Sequence, residues 1–295
     1  MDRKEELKLI NSKNKSLVET HIAVLLFGVA GIFGKLVLLP SIIIVFGRVF
    51  FASIFLLCLI FYLKLGIKLQ KTKDYFYLSL CGVILAIHWS TFFQSIKVST
   101  VGIGLLTFST FPVFVTFLEP WFFKEKVEKQ DIIIALITLF GVALVIPEFK
   151  IGNNMTQGVL WGIASGFTFA ILSVLNRKYV KKYPSLIIAF YQDTAATIIL
   201  LPFLFILKPV FQVNNILLLV VLGIVFTGVS HTLFIDGMKS IKAQTSSIIA
   251  SLEPVYGIIL AIFLLGEIPP LKVILGGAII LSTAFYSTIK SGKTS

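Results

Sequence analysis

The chain has 295 residues, 57% of them hydrophobic and 14% charged, with a formal net charge of +12. A soluble domain carries charge on about a quarter of its residues, so a water-soluble globule is excluded and an all-α polytopic membrane protein is expected. The basic residues lie between apolar runs, where a bilayer surface accounts for them without nucleic acid.

Ten apolar segments are predicted as spans, each near the roughly 20 residues that a bilayer crossing requires. Residues 1–19 are polar and read as a cytoplasmic tail, with no cleaved signal peptide ahead of the first span, 20–39. Glycines 28, 31 and 34 let a neighbouring helix approach that span closely, and Lys35 near its end is expected to snorkel outward. The second span, 41–63, holds a single charge, Arg48. The third, 74–95, brings His88, Trp89 and Phe92 together. An aromatic wall with one imidazole suits an organic, partly apolar solute. For Trp89 the alternative is the membrane interface, where tryptophan is enriched. Cys58 and Cys81 fall inside spans and read as small core residues.

The fourth span, 100–123, contains Pro112, and the fifth is 131–147. The stretch "PEFKIGNNMTQG" (147–158) reads as the link between two halves. The later spans are 157–178, 184–207, 215–236, 243–265 and 270–289, followed by a tail at 291–295. Asp193 lies at the depth of Arg48, so the two are expected to form a charge pair that locks the halves; alternatively Arg48 meets a substrate carboxylate. His231 reads first as a packing residue, with a pathway role as the second option. The ninth span carries Ser251, Glu253 and Pro254. An ionisable group costs about 2.5–3.5 kcal/mol at a helix centre on the insertion scale, so Glu253 needs a role. It binds a proton or a substrate amine, or it fixes packing through a hydrogen bond. Pro112 and Pro254 are expected to kink their helices, since proline removes a backbone donor.

An internal repeat runs through these spans. At an offset of 142 residues, Phe92 pairs with Phe234, Lys97 with Lys239, Ser109 with Ser251, Pro112 with Pro254 and Glu125 with Glu267. With both termini inside, 20 of the 26 lysines and arginines fall on the inner side and 4 in the outer connections, as the positive-inside rule requires. Five spans per half is an odd number, so the halves (20–150 and 151–290) enter the membrane in opposite senses. Inverted repeats of this kind are built around alternating access to a site near the midplane.

The two prolines in repeat register, each followed 13 residues later by glutamate, "FGRVF" around Arg48, "HWSTFFQSIKVST" (88–100) and "SLEPVYGIILAIFLLGE" (251–267) resemble the EamA-type transporters of the drug/metabolite transporter superfamily. The resemblance covers residues 20–290. It implies ten helices in two inverted five-helix repeats and export of amino acids, other metabolites or drugs, by proton exchange or facilitation, in a bacterial plasma (inner) membrane. The halves differ in their polar residues: Gln192 stands opposite Arg48, and Phe111 opposite Glu253.

The pathway residues expected on these grounds are His88, Trp89, Phe92, His231, Ser251 and Glu253. The expected partners are a small organic solute and membrane lipid, with the protein a monomer or homodimer. Proton coupling is an option; no cofactor, metal cluster or catalytic motif is expected. A lipid-modifying enzyme and a passive channel are the competing classes. An enzyme would gather its acid–base groups at one interface, and a channel would present a continuous polar stripe.

Overall fold

The computed structural model describes residues 3–123, 129–145, 152–241, 246 and 249–293; Glu125 and the first part of the 147–158 link lie outside the described residues. Among the described residues every regular element is helical. In order these are α1 (Arg3–Leu36), α2 (Ser41–Tyr62), α3 (Thr72–Val98), α4 (Val101–Phe108), α5 (Phe111–Phe123), α6 (Lys129–Val145), α7 (Asn154–Tyr179), α8 (Ser185–Leu200), α9 (Pro202–Leu207) and α10 (Val213–Gly223). A π-helical segment (Ile224–Val229), α11 (Ser230–Gly237), α12 (Glu253–Leu265) and α13 (Leu271–Lys293) follow.

Among the described residues, seven stretches are long and apolar enough to cross a membrane: Asn11–Leu36, Ser41–Tyr62, Thr72–Val98, Val101–Phe122, Asn154–Tyr179, Ser185–Leu207 and Val213–Gly237. Three shorter apolar helices, Ile132–Val145, Glu253–Leu265 and Leu271–Thr283, occupy the other expected positions. Many large apolar side chains point outward, among them Phe61, Phe205, Leu217, Phe263 and Leu264. Water would not tolerate an apolar surface of that extent, whereas a bilayer matches it. The chain is an integral membrane protein.

Local chemistry sets the helix ends. Thr100 Oγ1 accepts from Ile103 N at 3.1 Å and caps α4, and Asn153 Oδ1 accepts from Met155 N at 2.9 Å and caps α7. Such caps satisfy backbone donors that lack an intrahelical partner. Gly266, at φ 67°, closes α12 in the left-handed conformation that glycine adopts without strain.

Several expectations change. Residues 3–19 of the polar N-terminal stretch are continuous with the first helix, and α13 runs to Lys293. Pro112 and Pro254 do not kink continuous helices. The chain breaks at Ser109–Thr110 and again at Ser251–Leu252, and each proline is the second residue of the helix that restarts. Proline is tolerated there because its missing N–H has no intrahelical carbonyl to serve. The two breaks are 142 residues apart, matching the repeat in the sequence. Cys58 is exposed rather than buried, while Cys81 is in the core; both are free thiols.

The helices pack around a central core. α3 lies against α7 and α8, α2 against α8 and α10, and α1 against α11 and α12; α4 and α5 cover α7, and α6 pairs with α13. Two glycines mark close approaches around the centre. A Cβ at Gly28 would meet Tyr256 Cβ at 2.9 Å and Glu253 O at 3.0 Å, so α1 lies directly on the start of α12. A Cβ at Gly82 would sit 2.4 Å from Gln192 O and 2.6 Å from Ala195 Cβ, so α3 and α8 touch backbone to backbone. Gly82→Ala must force these helices apart. It is expected to cost about 1–3 kcal/mol, read as a lowered unfolding temperature of the detergent-solubilised protein.

Candidate functional site

The close contacts of α1 with α12 and of α3 with α8 surround a buried cavity. Its wall includes Arg48 from α2, His88, Trp89 and Phe92 from α3, Phe108 from α4, His231 from α11 and Glu253 from α12. Phe27, Ala30, Leu85, Phe169, Asn176 and Phe234 complete the lining. Phe108 and Glu253 flank the two helix breaks, so both interruptions open onto this space. It encloses about 30 Å³, room for a water or two. An organic solute needs hundreds of Å³, so binding one requires side chains or helices to move apart.

Arg48 is buried at the cavity wall. Its Nε donates to Thr227 Oγ1 at 2.9 Å and its Nη2 to the Phe226 carbonyl at 3.0 Å, both in the π-helical segment. Its guanidinium carbon lies 3.8 Å from the centre of the Trp89 ring. A desolvated stack of this kind contributes about 2 kcal/mol. Trp89 is therefore buried beneath Arg48 and does not sit at the membrane interface.

The expected Arg48–Asp193 charge pair does not form. Asp193, fully buried on α8, faces His231 instead, with Oδ1 3.6 Å from Nδ1. The carboxylates of Asp193 and Glu253 both act on Arg48 through space. The reason is angular: alignment fixes depth along a helix but not direction around it, and the π segment presents its own hydroxyl and carbonyl to the guanidinium. The residue aligned with Arg48, Gln192, turns elsewhere and donates from Nε2 to Asn176 Oδ1.

His88 is held by Ser165, whose hydroxyl lies 2.9 Å and carbonyl 3.1 Å from Nδ1. Its ring is 4.9 Å from that of Phe169 and 5.4 Å from that of Phe108. Further ring contacts, Phe92–Phe108 at 5.5 Å and Phe169–Phe234 at 5.6 Å, extend this into a continuous aromatic lining. His231, read first as a packing residue, lies on the cavity wall 5.4 Å from Trp89, edge to face. Ser251 is buried in the turn just before Glu253 and does not line the cavity. Sequence reasoning missed Phe27, Phe108, Phe169, Asn176 and Phe234. Of these, Phe234 had a signal, since it is the repeat partner of Phe92.

Charged groups also tie the bundle together away from the cavity. Lys35 does not snorkel freely: its Nζ donates to the Ser99 carbonyl at 2.6 Å and lies 3.9 Å from Glu267. Glu267 Oε2 accepts from Val101 N at 2.8 Å, and Lys97 Nζ donates to the Val37 carbonyl at 3.2 Å. These links join the ends of α1, α3 and α12 to the start of α4. Elsewhere Asp74 accepts from Lys182 and Tyr183, tying the start of α3 to the α7–α8 turn. No group of three or more metal-ligating side chains occurs among the described residues.

The profile of the EamA-like transporter family matches residues 18–146 and again residues 156–289. An uncharacterized transporter, YxxF, of Bacillus subtilis (strain 168) is 28% identical over 275 residues, covering 90% of this chain and 88% of that protein. A protein of Rickettsia felis named S-adenosylmethionine uptake transporter is 26% identical over 259 residues, covering 86% and 85%. One solved crystal structure superposes with a TM-score of 0.70 over 96% of this chain and 99% of the other, at 16% identity, and so shares the fold. Long lipid-facing helices and a buried polar cavity are thus joined to a profile that matches the chain twice: this protein belongs to the EamA-like transporter family and is a transporter, not an enzyme.

Proposed function

We propose that the protein is a secondary carrier that moves a small organic solute by alternating access, binding it in the cavity between the two helix breaks. The observation that carries this reading is the composition of that cavity. A guanidinium, an imidazole pair and a carboxylate line a space otherwise walled by aromatic rings. Flat rings of a solute would stack on Phe92, Phe108, Phe169 and Phe234, and its charged ends would meet Arg48 and Glu253. Amino acids and ring-bearing, drug-like metabolites have this chemistry. S-adenosylmethionine, named for the rickettsial relatives, combines a flat base with an ammonium, a sulfonium and a carboxylate.

Alternating access rests on ten spans in two inverted halves, residues 20–150 and 151–290. Three features support that arrangement. One family profile matches each half. Equivalent helices break at equivalent points. The packing comes in exchanged pairs: α3 on α7 is mirrored by α1 on α11, and α5 on α7 by α1 on α12. Both termini then face the cytoplasm, in a bacterial inner membrane. A carrier runs in either direction, so export and the uptake named for the relatives are two uses of one cycle, set by gradients. The charge balance suits proton coupling, since one guanidinium faces two buried carboxylates.

Reporter fusions test the topology: fusions at the N-terminus, at 180–184 and at the C-terminus should report the cytoplasm, and fusions at 208–212 the opposite face. Termini on different faces would defeat the inverted arrangement. Transport is tested by a metabolite and toxic-analogue screen in cells and by counterflow of labelled S-adenosylmethionine in proteoliposomes. Saturable counterflow is expected for a carrier, and a rate that stays linear with concentration would argue against one. Losing one charge-assisted contact is worth about 1.5–3 kcal/mol, so Glu253→Gln and His88→Ala should each weaken apparent affinity by roughly 10- to 100-fold. Unchanged transport in both variants would remove these residues from the site.

A further inference from the structure

Asp193 and His231 form the least satisfied polar pair in the bundle. Asp193 is fully buried on α8 and His231 is 3% exposed on α11. Neither carboxylate oxygen and neither ring nitrogen has a hydrogen-bond partner among the described residues. Their closest approach, 3.6 Å between Oδ1 and Nδ1, is to each other. Buried polar atoms are normally hydrogen-bonded, and four orphaned atoms at one place require an explanation. His231 lines the cavity whereas Asp193 does not; the carboxylate sits behind the imidazole, out of reach of a solute.

We propose that Asp193 and His231 form a proton-binding pair at the cavity wall, with the carboxylate behind the imidazole, separate from the solute-facing Glu253. One bound proton gives the pair a charge-assisted contact that its present atoms lack. It also neutralises the region, where Arg48 supplies one positive charge against Asp193 and Glu253. Histidine changes charge between about pH 5 and pH 8, which makes it the side chain suited to this exchange. The proton comes from water on one side of the membrane and returns as a proton to water on the other; no other bond changes.

The surroundings leave this role to the pair. Arg48 reaches it from α2 and acts on Asp193 through space. On α3, His88 is committed to Ser165, Cys81 lies near Tyr179, and Asp74 is held by Lys182 and Tyr183. On α1, the acidic group facing α11 is Glu19, which is set against Asp236. α9 and the π-helical segment carry no titratable side chain. Glu253 approaches from α12 on the cavity side.

The coupling role rests on the carrier reading above; proton binding is tested without transport. The chain has three histidines, so nitrogen-15 ring resonances in lipid nanodiscs can be assigned by subtraction with His231→Gln. The His231 signals should change with pH as the pair takes up its proton. That transition should shift or vanish in Asp193→Asn and return in Asp193→Glu, with an unchanged unfolding temperature in detergent as a control for folding. A His231 ring insensitive to pH, or a transition identical in Asp193→Asn, overturns the proposal. In proteoliposomes, a pH gradient should drive accumulation of labelled S-adenosylmethionine, and Asp193→Asn should reduce it to the level without a gradient. Gradient-driven accumulation that survives in Asp193→Asn also overturns the proposal. Failure of the unsubstituted protein to move this probe counts against the solute assignment, while the resonances still decide the pair.

Discussion

A guanidinium held out of water at the centre of a helical bundle is the constraint from which the rest of the site follows. Arg48 could not remain there unsupported. It is held by an aromatic face beneath it, a hydroxyl and a backbone carbonyl beside it, and two carboxylates within its field. Each support comes from a different helix: Trp89 from α3, Thr227 and Phe226 from the π segment, Asp193 from α8 and Glu253 from α12. Closing these partners around one charge brings the helices to a common centre and leaves the cavity there.

Charge is divided unevenly along the chain. Arg48 and His88 precede the central link, and Asp193, His231 and Glu253 follow it. At the break before Phe111 the chain presents an aromatic ring; at the matching break it presents Glu253. A duplicated backbone thus carries an asymmetric chemistry, in which the N-terminal half supplies the fixed cation and the C-terminal half the carboxylates. Any motion of one half against the other changes the distance between opposite charges in a medium of low dielectric, where such changes carry the most energy.

Much of this was legible in the sequence, for identifiable reasons. Long apolar runs and the rarity of charge marked the helices. Cost singled out Arg48 and Glu253, because a charged group at membrane depth stands out against leucine and phenylalanine, whereas His231 read first as a packing residue. The aromatic lining was mostly hidden, because Phe108 and Phe169 belong to the 13% of residues that are aromatic, and nothing in the pattern separates a cavity-facing ring from a lipid-facing one. The Arg48–Asp193 pairing failed because equal depth says nothing about azimuth. The helix breaks were read as kinks because proline marks an irregularity without saying whether the helix bends or restarts.

The π-helical segment at Ile224–Val229 fits one more residue into a turn than an α-helix would. At 3.6 residues per turn, one residue amounts to about 100° of rotation. Every side chain after Val229 is therefore turned by that angle relative to an uninterrupted helix, and this brings His231 round to Asp193 and Phe234 to Phe169. Backbone winding, rather than the identity of any side chain, decides what the stretch Val213–Gly237 shows to the interior.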